Sequence, residues 1–166
     1  MAENAYIQIE GAPGEGTERN HKGWIPLKSF SWEVTRTVDM EDLSTAQRGF
    51  GNSSFGKISV TSEMGKHSPK LMLSVADGTV RDKTEIHLTR SGSSGSKGME
   101  TYCTVILSDS IIDKYEVSGG EEQIPEENWD CAYRAIEWVY MLADPNSGEL
   151  KKGADFAWDL LAGEMA

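Results

Sequence analysis

Positive charge is scarce in this sequence: 16 Lys and Arg face 27 Asp and Glu, for a net charge of −11. A field of that sign repels nucleic acid and anionic membrane at long range, so neither is an expected partner. Long apolar runs are also missing. No stretch reaches the roughly 18 apolar residues of a membrane span. The N-terminus, Met1 to Ile7, lacks the basic segment and apolar core of a secretory signal. Synthesis in the cytosol, without a cleaved signal, is therefore expected. The only two cysteines, Cys103 and Cys131, sit in strand-like runs outside any Cys-x-x-Cys, which removes support for zinc or thioredoxin chemistry. They read as small buried hydrophobes, with a disulfide or redox pair as the alternative.

Catalytic signatures are lacking too. His21, His67 and His87 stand on separate elements without metal-ligand spacing and read as surface or hydrogen-bonding residues. Gly51 to Lys57 matches the first seven positions of a phosphate-binding loop. The chemistry then requires Ser or Thr and a helix, whereas Ile58 follows and Lys57 opens a strand-like run. Glu121, Glu122, Glu126 and Glu127 flank Pro125 without calcium-loop spacing and read as a solvated loop. No G-x-S-x-G occurs, and no nucleophile–base pair can be assembled. Neither catalytic residues nor a metal nor a cofactor is expected, and the chain is not expected to be an enzyme.

What is present reads mostly in twos. A length of 166 residues with 38% hydrophobic and 26% charged residues suits one globular domain, residues 1–166. Ala5, Ile7 and Ile9 alternate with polar partners up to the Gly11-Ala12-Pro13-Gly14 stop. Ile25 and Leu27 share one parity, whereas Phe30, Trp32 and Val34 take the other, which predicts a bend near Lys28-Ser29 that keeps both sets on one core. Further strands are expected over 57–61, 85–90, 101–107, 111–117 and 130–140, with Ser91 to Gly98 as a flexible hairpin loop. Residues 154–161 close the chain as a strand or a helical turn.

One helix is predicted over about 69–77. Ser68 is its expected N-cap, Pro69 suits the first helical position, and Leu71, Met72 and Val75 share a side before Gly78 ends it. The pattern disappears from Asp39 to Gly56, although Met40, Leu43, Phe50 and Phe55 stud the segment. Those side chains either fold onto their own domain or dock on another subunit. The sum of these elements is a mainly β fold, a small closed or sandwiched antiparallel barrel with one helix.

Six stretches in order resemble the haemolysin-coregulated protein (Hcp) family, the tube proteins of type VI secretion. Tyr6-Ile7-Gln8-Ile9 with Pro13-Gly14-Glu15-Gly16 is similar to its first strand and turn, and His21-Lys22-Gly23-Trp24-Ile25 with Phe30-Ser31-Trp32 to its aromatic signature. Lys66 to Met72 resembles its helix start, and Tyr115 to Gly120 its S-x-S-G-G loop. Tyr133 with Ile136-Glu137-Trp138, and Phe156 to Leu160, resemble its last two motifs, the latter with Ala157 where the family has Gly.

The resemblance implies a two-sheet antiparallel β-barrel with one short helix on its side and a long extended loop at 39–56. It implies homo-hexameric rings that stack into a hollow tube. Its partners would be a spike (VgrG-like) protein, sheath and baseplate components and effector proteins. It also implies export through the type VI machinery to the medium or a target cell. Met40, Leu43, Phe50 and Phe55 would then contact neighbouring subunits or rings. Ser31 and Glu33, opposite in parity to the core set, would face the lumen, with an ordinary solvated strand face as the alternative. The chain ends just past Trp158-Asp159-Leu160, so no C-terminal effector extension is expected. Outside the resemblance, a monomeric barrel binding a small molecule or carbohydrate through Trp24, Trp32 and Trp138 is the alternative function.

Overall fold

The computed structural model describes residues 4–38, 40–41, 53–92 and 98–165. The strands are β1 (Asn4–Ile9), β2 (Ile25–Leu27), β3 (Ser29–Ser31), β4 (Val34–Arg36), β5 (Ser53–Phe55) and β6 (Ile58–Glu63). Helix α1 (Ser68–Asp77) follows, then β7 (Val80–Ser91), β8 (Met99–Ser118), β9 (Glu126–Ala132), β10 (Ala135–Ala143), β11 (Leu150–Asp159) and β12 (Glu164–Met165). All pairings are antiparallel, in one ten-stranded sheet and a separate β4–β5 ribbon. The fold class is mainly β, as expected.

The two strands expected over 101–107 and 111–117 are one. β8 runs for 20 residues, and its buried side chains change parity along the way, from Cys103, Val105 and Leu107 to Ser110 and Ile112. The slip occurs at Asp109, which takes a left-handed φ of 48°. Opposite that point the facing run also breaks. Ala132 pairs with Ile111 and Ala135 with Ser108, so β9 and β10 continue one register on either side of a Tyr133-Arg134 corner. Arg134 N–H donates to Ser108 O at 3.0 Å, and its guanidinium reaches Asp109 at 2.9 Å. The strand expected over 130–140 is thus two strands around a corner.

The bend predicted near Lys28-Ser29 is present, and it moves the chain from one neighbour to another. β2 pairs with β1, whereas β3 pairs with β6. Lys28 N–H donates to Thr61 O at 2.8 Å between them. The pairings therefore run β2-β1-β7-β8-β9-β6-β3, and the covalent chain at Lys28 joins the ends. Among the described residues, no unbroken ladder closes this barrel. Ile7, Ile25, Ile58, Ile86, Leu107, Trp129 and Ile136 fill its interior, each contributing roughly 1.5–3 kcal/mol of apolar burial where fully covered.

Other expectations change in detail. Residues 154–161 fall in strand β11 and the turn after it. β5 forms inside the segment where no pattern was legible. Val34, expected in the core, is 44% exposed on the small ribbon. In α1, Leu71 is buried and Met72 exposed. His67, not Ser68, is the N-cap residue, without a side-chain capping bond. Gly78 ends the helix at φ 69° as predicted. Cys103 and Cys131 are both buried and free, and burial pushes the Cys131 thiol up to about 12, with Asp113 and Asp130 adding to the shift.

Ser68 is diverted from capping because its hydroxyl serves a buried carboxylate. Glu127, expected in a solvated loop, lies on β9 at 0% exposure. It accepts hydrogen bonds from Ser62 Oγ at 2.7 Å, Ser68 Oγ at 2.7 Å and Tyr115 OH at 2.5 Å, and from His67 Nε2. Trp129 Nε1 donates to Ser62 Oγ at 3.2 Å and extends the network into the core. Burial alone would raise the carboxyl's pKa, but the His67, Tyr115, Ser62 and Ser68 bonds together outweigh it and hold it below its ordinary value. The node ties the start of α1 to β6, β8 and β9.

A carboxylate held below its unfolded value stabilises the fold above that value and loses the contribution as pH falls from there through the lowered, folded-state value. Urea unfolding of wild type and Glu127→Gln should differ by about 1–3 kcal/mol near neutral pH, the cost of disrupting charge-assisted bonds in a buried site. That difference should shrink below about pH 4.5. Glu126→Gln, on the neighbouring partly exposed side chain, should leave the unfolding curve unchanged.

Candidate assembly surfaces

Among the described residues, no group of three or more His, Cys, Asp or Glu side chains is placed to hold a metal ion, and no helix is long and apolar enough to cross a membrane. The phosphate-loop-like stretch ends in strand: β5 covers Ser53–Phe55 and β6 starts at Ile58. Lys57 pairs with Asp113 and leads into a strand, where a phosphate-binding loop would lead into a helix. The three tryptophans proposed for a ligand pocket pack in different company. Trp24 has its ring contacts with His21 and His87, whereas Trp32 and Trp138 lie against each other at 5.4 Å. What the geometry offers is surface.

The first surface is the root of the 39–56 segment. Trp32 and Phe55 approach at 6.2 Å. Phe55 stacks on Trp158 at 5.8 Å and on Phe156 at 6.4 Å. Trp32 Nε1 donates to Tyr133 OH at 2.7 Å, and Tyr133 OH donates to Gly56 O at 2.6 Å. Gly56 N–H in turn donates to Glu33 O at 2.9 Å. Both ends of the ribbon are thereby fixed to the β9–β10 corner. Burial pushes the Tyr133 phenol above its ordinary value, with the Trp32 bond opposing.

Above this root the apolar side chains turn outward. Val34, Val38 and Met40 are exposed, Met40 at 78%. Phe55 is half-buried among the aromatics just described, while Leu43 and Phe50 lie outside the described residues. Ser31 and Glu33 are exposed, and their neighbours Phe30 and Trp32 pack partly buried against the core.

The second surface is the sheet extension beyond the barrel. β10 pairs with β11 and β11 with β12, which leaves β12 as a sheet edge. Tyr140, Leu142, Phe156, Leu160, Leu161 and Met165 are exposed there. Exposed apolar side chains gathered on an edge mark protein–protein contact. Sequence alternation alone could not flag this extension, since its apolar residues look like core positions until the topology places them on strands beyond the barrel, where they are exposed.

A family model described as type VI secretion system effector, Hcp, matches residues 6–140. Comparison with curated protein sequences finds no match. Among solved structures, the chain is similar to a type six secretion system protein, with a TM-score of 0.88 and 26% identity over 99% of this chain and 100% of that one. Hcp1 from Salmonella typhimurium aligns at a TM-score of 0.75 and 17% identity over 100% of both chains. A type VI secretion system effector from Yersinia pestis aligns at 0.70 and 19% over 93% of this chain and 98% of that one.

Tyr133→Phe should strand the Trp32 N–H and the Gly56 carbonyl together. The expected cost is about 1–3 kcal/mol in chemical unfolding. Faster hydrogen exchange should be confined to residues 53–56 and the corner, with the amides of β1 and β7 keeping their protection.

Proposed function

The chain belongs to the Hcp family of the type VI secretion system, the family of its tube protein, and on that premise we propose that it is a structural subunit of the inner tube. Copies associate into hexameric rings, rings stack into a hollow tube, and the tube carries effector proteins and is itself exported. The observation that carries this reading is the match of one fold along nearly the whole chain, joined to a family model over residues 6–140. The family is structural, not enzymatic, and a tube wall acts through its surfaces.

The physical features fit that role. A stable interface buries roughly 800 Å² per partner, and the apolar edge at β11–β12 and the ribbon carrying Val34, Val38 and Met40 are surfaces of the right kind. In this reading Met40, Leu43, Phe50 and Phe55 contact a neighbouring subunit or ring, with Phe55 acting chiefly as the anchor of the segment. Ser31 and Glu33 are assigned to the inner wall. A spike (VgrG-like) protein at the tip, sheath and baseplate components outside, and effectors inside are the partners. The net charge of −11 argues against nucleic acid as cargo.

Leu43→Asp and Phe50→Asp should each shorten or abolish stacks seen by negative-stain electron microscopy, while circular dichroism stays that of the wild type. Stacks that survive both substitutions would remove the segment from the contact.

A further inference from the structure

His21 and His87, expected to be isolated, form a pair. His21 lies in the loop between β1 and β2 and is buried; His87 is half-buried on β7. His21 Nε2 is 3.0 Å from His87 Nδ1. A hydrogen bond between two imidazole nitrogens needs one N–H and one lone pair, so the contact holds a single proton. On its other side, His21 Nδ1 lies 2.5 Å from Glu18 Oε2, a carboxylate that can only accept. Fully protonating both rings would set N–H against N–H, and the contact could not persist.

The pair is packed against aromatic rings on one side and lines an open depression on the other. Tyr6 on β1 stacks on His21 at 4.7 Å, and Trp24 lies against both rings. The charged groups around it are few. Glu18 comes from the loop. Glu85 on β7 is 3.9 Å from His87 Nε2 and is paired with Lys83 at 2.8 Å. From β8, Thr101 Oγ1 is 3.4 Å from His87 Nδ1, and Glu100 shares the wall of an open depression with Glu149. Burial, with His21 and Lys83, lowers the His87 pKa from its ordinary value, and Glu85 opposes this incompletely. A base depressed on folding destabilises the fold as pH drops below its unfolded value.

The pair also fastens two parts of the chain. Beside it, Met99 N–H donates to Glu18 Oε1 at 3.1 Å, and Asn20 Nδ2 donates to Met99 O at 3.1 Å. Met99 is the first residue of β8 after the β7–β8 hairpin loop. The loop of residues 12–24 is thus strapped across the base of that hairpin by two backbone-directed bonds and one imidazole pair.

We propose that His21 and His87 form a proton-operated latch, which holds the 12–24 loop on the β7–β8 hairpin near neutral pH and releases it in mildly acidic solution.

Hydrogen-exchange mass spectrometry on wild type and His87→Gln, corrected for intrinsic rates, tests the latch at about pH 7.5 and about pH 5.5. Residues 12–24 of the wild type should lose protection about ten-fold or more at the lower pH. His87→Gln, which keeps a donor and an acceptor without titrating, should show no such change. Unchanged wild-type protection, or an equal loss in His87→Gln, would overturn the latch. Should the variant not fold, nitrogen-15 NMR titration of the wild-type imidazoles decides. A His87 curve displaced below its ordinary range is expected, and a His87 curve of an ordinary free imidazole would contradict the proposal.

Discussion

Strand β8 is the element to which the rest of the β structure is referred. It is long enough to bind β7 along one edge and to meet both β10 and β9 along the other. A strand of 20 residues cannot stay flat with the ordinary right-handed twist. It turns at Asp109, and the facing chain turns with it at Tyr133-Arg134. That shared corner divides the molecule. On one side the sheet continues through β9 and β6 into the barrel; on the other β10 still gives Ile136 to the core before the sheet runs outward through β11 to β12.

The corner also explains why the two parts do different work. The barrel side is filled mostly with aliphatic side chains around Trp129, and the buried Glu127 carboxylate there has its donors inside the chain. The outward side keeps exposed apolar residues and a sheet edge. Tyr133, at the corner, reaches from one to the other by holding Trp32 and the Gly56 carbonyl in place. A rigid body carrying an unsatisfied rim is what a subunit of a larger assembly requires.

Much of this was legible in the residues, and the misses share a cause. Alternation at Ile7 and Ile9 and the Pro69–Gly78 span mark elements because their burial is local and periodic. The phase change around Lys28 marks the bend for the same reason. Around Asp109 the same kind of phase change reads as an end of strand, because a polar Ser-Asp-Ser run looks like a turn when the partner strand is unseen. Glu127 and Ser68 differ from expectation because a carboxylate's burial depends on donors brought from far along the chain. His67, 60 residues away, shares a bond with it. His21 and His87, 66 residues apart, are the same case. The family resemblance rested on motifs such as Tyr133 and Trp158, whose physical meaning appears only as the aromatic root of the 39–56 segment.

The proposed role requires that this body be one unit of a ring. Sedimentation velocity of the purified full chain over a range of concentrations tests it directly. A dominant species of about six times the 18.3 kDa chain mass is the predicted result. A single species at the mass of one chain, persisting at the highest concentration reached, would contradict it.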